Sequence, residues 1–269
     1  MPGRIKNGIV PLGDGGMDYV SFGTGPRTLV MLPGLGDGLR TVKGMAVPFS
    51  WLYREYAKAY RVYVFSRRNG LPEGTSIRDM AEDVKGAMDT LGISRADVLG
   101  VSQGGMIAQH LAAVHPEAVE RLVLAVTAAW ANDTVQAVVG QWVAWANARD
   151  YQSIVIDTAE KMYSERRLRR YRPFYPILGR MGKPRSLSRF LIQAKACLGH
   201  DIRGELSGIR CPALVIGGAK DRVAGNVSAE LAGGISGSEL YVYPDLGHGA
   251  YEEAEDFNGR VLKFLTCEK

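Results

Sequence analysis

The chain has 269 residues, 46% of them hydrophobic, and its 33 basic and 28 acidic side chains leave a net charge of +5. That is enough to bury a large core, and the length fits one α/β domain carrying an insertion. Three widely spaced cysteines, Cys197, Cys211 and Cys267, with no C-x-x-C pair, argue against a disulfide framework or a zinc site.

The chain starts Met1-Pro2-Gly3-Arg4-Ile5-Lys6-Asn7 without an apolar h-region, and no run approaches the ~18 apolar residues of a membrane span. A cytoplasmic protein is therefore expected. Met17 to Phe22 and Thr28 to Leu32 read as strands around the turn Gly23-Thr24-Gly25-Pro26, and Arg61 to Phe65 as another. Ser76 to Leu91 has helical spacing, with Ile77, Met80, Ala81, Val84, Met88 and Leu91 on one face and a capping-box-like Ser76 and Asp79 at its start. Ala96 to Leu99 reads as a buried strand, Met106 to Val114 as a helix, and Leu122 to Val126 as a strand. This alternation predicts a mostly parallel sheet with helices on both faces.

After Ala128 the rhythm breaks for about seventy-five residues of helical, strand-poor sequence. Residues 131–205 hold thirteen Lys and Arg against seven Asp and Glu, so the basic excess belongs to this segment. Its densest part, Glu165 to Arg172, reads as a solvated helix face, and no nucleic-acid partner is expected. The rhythm resumes with strands at Ala213 to Ile216 and Glu239 to Tyr243, followed by a helix from about Ala250 to Leu265. The expected division is thus a core of 1–130 and 206–269, with 131–205 inserted above the carboxyl edge of the sheet, where open α/β sheets bind ligands.

Gly100-Val101-Ser102-Gln103-Gly104-Gly105 places a serine between glycines where a strand turns into a helix. This is the pattern of a nucleophile elbow, and it lacks the lysine and spacing of a phosphate loop. A serine hydroxyl needs a base, and His248 is the best placed of four histidines because it follows the last strand. Asp221, after the penultimate strand, is the expected orienting acid; Asp133 is its rival, and Asp245 reads as a turn residue. Backbone N–H groups of Gln103 and Leu35 are the expected oxyanion donors, with Gly34 or Gly36 as alternates for Leu35. Gly34, Gly36 and Gly38 suit a backbone that approaches a ligand. Trp130, Trp142 and Trp145, with Tyr163, Phe174 and Tyr175, line either a substrate pocket or the small core of the insertion.

These residues resemble the α/β-hydrolase superfamily, in particular small bacterial esterase-like hydrolases with a helical cap. The likeness runs through Leu29 to Gly36, Val98 to Gly105, His115 to Leu124, Ile209 to Asp221 and Pro244 to His248. It implies an eight-stranded sheet, a cap at 131–205 and a serine hydrolase for a small-molecule carboxylic ester, using Ser102, His248 and Asp221. No metal or cofactor is expected, and the protein is expected to be a monomer or homodimer. Alternatives with the same triad are amide, thioester, lactone or carbon–carbon cleavage and perhydrolysis; outside enzymes, the fold can serve as a small-molecule receptor. Three departures from the pattern are Pro33 in place of a histidine, Ser66-Arg67-Arg68-Asn69-Gly70 in place of an Asp-x-x-Gly run, and Ala224 where a proline often follows the acid.

Overall fold

Short runs of buried aliphatic residues form strands, and the helical segments between them pack back over the sheet those strands build. The computed structural model describes residues 5–13, 15–179 and 182–267. Met1 to Arg4, on which the reading of the chain start partly rests, and Arg180 and Met181 of the Pro-Gly-rich stretch lie outside them. The strands are β1 (Lys6–Leu12), β2 (Gly15–Phe22), β3 (Arg27–Leu32), β4 (Tyr60–Arg68), β5 (Ala96–Val101), β6 (Val119–Ala125), β7 (Ala213–Gly218) and β8 (Glu239–Tyr243). They form one sheet in the order β1-β2-β4-β3-β5-β6-β7-β8, antiparallel for β1, β2 and β4 and parallel across the rest.

β1 has no counterpart in the predicted elements. Gly8 and Pro11 interrupt its apolar pattern, and proline is tolerated there because β1 is an edge strand. Central β5 is buried along its whole length, including Asp97. That carboxylate accepts hydrogen bonds from Arg27 at 2.8 Å and from the Tyr60 hydroxyl at 2.7 Å, the pairing a buried charge requires.

The helices are α1 (Ala46–Leu52), α2 (Ile77–Thr90), α3 (Gln103–Val114), α4 (Asp133–Asn147), α5 (Tyr151–Met162), α6 (Glu165–Tyr171), α7 (Tyr175–Leu178), α8 (Ser188–Leu198), α9 (Ser228–Gly233), α10 (Ala250–Glu253) and α11 (Phe257–Thr266). Strand residues alternate between two apolar layers: Val30, Leu32 and Val98 pack with α2 and α3, whereas Met31, Leu99 and Val101 face the side of α1 and α11. The capping box of α2 forms as expected, with Ser76 Oγ accepting from the Asp79 N–H and Asp79 accepting from the Ser76 N–H. The single final helix expected from Ala250 to Leu265 is instead two, because Ala254 takes an extended backbone between α10 and α11. The Asp256 carboxylate at that break accepts from Tyr243 and Arg260, anchoring the start of α11.

Helices α4 to α8 lie between β6 and β7. The outgoing and returning strands of chain are tied together, with Ala131 N–H donating to the His200 carbonyl at 2.8 Å and Ile202 N–H to that of Ala129 at 2.9 Å. Beneath this crossing the His200 ring stands edge-on to His110 of α3, 5.3 Å between centroids, with both rings buried. Burial lowers the pKa of both, for His200 to about 3, with His110 adding to the depression.

Because His200 binds a proton more readily once unfolded, its contribution to stability is complete above about pH 6.5 and is lost as pH falls toward 3, and the lowered pKa of His110 acts in the same direction. The His200 ring is expected to remove on the order of 1 kcal/mol of unfolding free energy per pH unit in that window. Urea titrations between pH 7 and pH 5 measure this, and His200→Asn is expected to flatten the slope.

Candidate active site

At the carboxyl edge of β5 the chain turns into α3 within one residue, and the glycines make that turn possible. A Cβ on Gly104 would sit 1.9 Å from the Leu32 carbonyl oxygen, and one on Gly100 would sit 2.4 Å from that of Gly104. Ser102 occupies the turn with φ 53° and ψ −119°, a region costly for a residue with a side chain. Its own peptide groups hold it there. The Ser102 N–H donates to the Ala125 carbonyl at 2.9 Å, and its carbonyl accepts from Gly105, Met106 and the Thr127 hydroxyl.

His248 lies in the loop after β8, and its Nε2 is 2.9 Å from Ser102 Oγ. Its Nδ1 is 2.8 Å from Asp221 Oδ2, and both side chains are almost closed to solvent. The structure therefore brings together the three residues expected from chain order. The histidine and acid loops are joined by the Lys220 N–H, which donates to the Leu246 carbonyl at 2.9 Å. Asp221 Oδ1 accepts from the N–H groups of Val223 and Ala224, each at 2.8 Å. Ala224 thus uses an N–H that proline lacks, which gives this departure a physical meaning. The rival acid Asp133 is instead exposed at the start of α4, and Asp245 pairs with Lys220. Asn132, which sequence reasoning passes over, caps α4 with its Oδ1 and steadies the acid loop by donating from Nδ2 to the Ala224 carbonyl.

Leu35 opens a 3-10 turn and Gln103 opens α3, so neither N–H has an intrahelical acceptor. The Leu35 loop passes directly beside the serine, since a Cβ on Gly34 would lie 3.3 Å from Ser102 Cβ and 3.8 Å from Oγ. Gly38 answers a different need from the one expected: its close approach is to α8, where a Cβ would lie 2.8 Å from Phe190 Cα.

Behind this pair of N–H groups lies a polar cluster that the sequence does not disclose. The fully buried Arg67, from the segment that departs from the family pattern, donates through Nη2 to the Pro33 carbonyl and to Gln103 Oε1 at 3.1 Å. Gln103 Nε2 in turn donates to the Gln193 carbonyl and lies 3.1 Å from Cys197 Sγ, both on α8. Asp37 Oδ2 accepts from the Arg67 N–H, Gln193 and Arg189. Burial pushes the Cys197 thiol up to about 11, so it stays protonated beside Gln103.

Above Ser102 opens a cavity of about 900 Å³, lined near the serine by Leu35, Val101, Trp142, Phe190, Val223 and His248. Of the three tryptophans considered for a pocket, Trp142 lines it, held by a 2.7 Å hydrogen bond from Nε1 to Asp157. Trp130 and Trp145 do not. Trp130 sits at the chain crossing beneath Arg203, and Trp145 packs against the core. In the basic stretch, Arg172 pairs with Glu160 and Glu165, while Arg167 packs on Tyr163 and Tyr171 and bonds Glu252. This is the ion-paired helix surface expected of a charge run.

Replacing Ser102 by glycine removes the backbone strain, whereas alanine keeps it. Ser102→Gly is expected to unfold about 1 kcal/mol less readily than Ser102→Ala, the strain relieved exceeding the added glycine entropy. Paired chemical denaturation curves give the difference.

Residues 27–255 match the model of the alpha/beta hydrolase fold family. A 2-hydroxy-6-oxononadienedioate/2-hydroxy-6-oxononatrienedioate hydrolase of Klebsiella pneumoniae is 31% identical over 91% of this chain and 88% of that protein. One from Pseudomonas putida is 29% identical over 97% and 94%. A solved hydrolase from Pseudomonas aeruginosa superposes with a TM-score of 0.82 at 26% identity, covering 97% of this chain and 99% of that one. Among the described residues no helix is long and apolar enough to cross a membrane. With its eight-stranded sheet and a family match over most of its length, the chain belongs to the α/β-hydrolase fold family.

Proposed function

We propose that the protein is a serine hydrolase that cleaves an uncharged carboxylic ester through an acyl-enzyme. The observation that carries this reading is the unbroken row Ser102 Oγ, His248 Nε2, His248 Nδ1, Asp221 Oδ2 at the floor of an apolar cavity. In the first half-reaction Ser102 Oγ bonds to the ester carbonyl carbon while its proton passes to His248 Nε2. Asp221, fixed by two backbone N–H groups, accepts from Nδ1–H and stabilises the imidazolium. The carbonyl oxygen gathers negative charge facing the N–H groups of Leu35 and Gln103. The carbon–oxygen bond to the alcohol breaks, and His248 returns the proton to the leaving oxygen. Water then repeats the sequence, releasing the carboxylic acid and restoring Ser102. Residues 131–205 act as the cap, because Trp142, Met162 and Phe190 of that segment close the cavity over the serine.

Carbon–carbon cleavage is the second reading, supported by the names and near full-length coverage of the relatives at 29% and 31% identity. A dioate carries two carboxylates, which are costly to bury unless cations or several hydrogen-bond donors meet them. Here the two arginines behind the oxyanion donors, Arg67 and Arg189, are turned toward Pro33, Gln103, Asp37 and the carbonyls of Arg67 and Arg68. Of the other arginines lining the cavity, Arg167 pairs with Glu252, and the exposed Arg40 and Arg54 share the lining with Glu55 and Glu255. Neutral esters fit this charge balance better.

A fluorophosphonate is expected to label Ser102, and Ser102→Ala to lose both labelling and hydrolysis of p-nitrophenyl acetate. Efficient turnover of a dienedioate without ester turnover would contradict the ester reading. Arg67→Met is expected to lower kcat roughly tenfold to a hundredfold with little change in KM, because it loosens both oxyanion segments rather than substrate contacts. Steady-state kinetics on protein with an intact melting transition checks it.

A further inference from the structure

The cavity is near the upper end of the size range of small-molecule sites, well beyond what an acetyl group fills. From Ser102 one part rises under the inserted helices past Trp142 and Phe190. Another drops over the carboxyl edge of the sheet onto the layer shared with α1 and α11, reaching Met31, Val64 and Leu99. Met45, Phe49 and Tyr53 line this lower part from the α1 side, and Tyr251 and Asn258 from the side of α10 and α11.

α1 is an unusual wall. Its sequence Ala46-Val47-Pro48-Phe49-Ser50-Trp51-Leu52 is almost wholly apolar, yet only Ala46 is buried. Val47 and Trp51 are 67% and 69% exposed. Phe49, Trp51 and Leu52 all line the cavity, so much of what this helix faces is empty space. A helix of two turns has little stability of its own, and one that buries so little is the easiest wall to displace. Burial pushes the Tyr53 and Tyr251 phenols up, leaving both neutral at ordinary pH. Charged side chains, Arg54, Glu55, Glu252 and Glu255, line this part only as exposed residues, with Glu252 acting on both tyrosines.

We infer that the lower part of the cavity houses a long, unbranched alkyl chain of the ester, lying between α1 and the α10–α11 pair. This rests on the acyl-transfer reading of Ser102. An extended hydrocarbon matches a compartment whose buried wall is apolar, that is continuous with the space at the serine and that opens beside an apolar helix. Each methylene it buries is worth roughly fourfold in binding.

The test is kcat/KM for two ester series, p-nitrophenyl esters from acetate to dodecanoate and acetates of alcohols from ethanol to dodecanol. In at least one series the value is expected to rise at least a hundredfold between two and eight carbons. Met45→Trp, which narrows the compartment, is expected to lower the long-to-short ratio at least tenfold, and Phe49→Trp serves if that variant does not fold. Flat profiles in both series, or ratios unmoved by a folded narrowing variant, overturn the inference while leaving acyl transfer intact. Failure to hydrolyse even the short esters, with no fluorophosphonate labelling, overturns the acyl-transfer reading and this inference with it.

Discussion

The backbone of Ser102 is the constraint on which the rest of the site depends. A side chain held at φ 53° and ψ −119° costs about 1–3 kcal/mol, and the fold must supply that from neighbouring contacts. It does so by tying both peptide groups of Ser102 to β6, α3 and Thr127 and by leaving Cβ atoms out at Gly100 and Gly104. The result is a hydroxyl lifted off the sheet edge, within hydrogen-bond distance of an imidazole carried by the loop after the edge strand β8. A relaxed turn would lower Oγ toward the strand and separate it from His248.

A second layer of constraint keeps the two oxyanion segments in register. Pro33 and Gln103 come from different strand ends, and Arg67 bridges them from beneath while Asp37 links the same cluster to α8. Burying an arginine is expensive, and its burial lowers its pKa against the opposing pull of Asp37. The cost is understandable if the cluster serves geometry rather than stability alone. It also couples the inserted helices to the catalytic floor, since Gln193 and Cys197 on α8 contact the side chain of Gln103. A shift of the insertion therefore reaches the oxyanion donors directly.

How much of this was legible in the sequence depended on whether local rules were enough. The elbow declared itself because close backbone approach can be met only by glycine, and His248 and Asp221 declared themselves because strand order places their loops at one edge. Arg67 stayed hidden: one of its partners is a main-chain carbonyl 34 residues upstream, which leaves no mark on side-chain identity. The tryptophans show a different limit. Helical spacing tells that Trp142 and Trp145 lie near one face of α4, but not that the buried Trp142 also lines the cavity whereas Trp145 only packs against the core. β1 was missed because an edge strand tolerates the proline and glycine that disguise it. The break at Ala254 was missed because the apolar spacing on either side is compatible with one continuous helix.

The most direct measurement of the central claim is intact-protein mass spectrometry on reactions of p-nitrophenyl octanoate with the enzyme, acid-quenched within milliseconds, followed by peptide mapping. The account predicts a transient octanoyl adduct on the peptide containing Ser102, absent in Ser102→Ala, that decays as octanoic acid appears. Turnover with no adduct at any time, under conditions where p-nitrophenol is released in a burst, or an adduct on another residue, would contradict it.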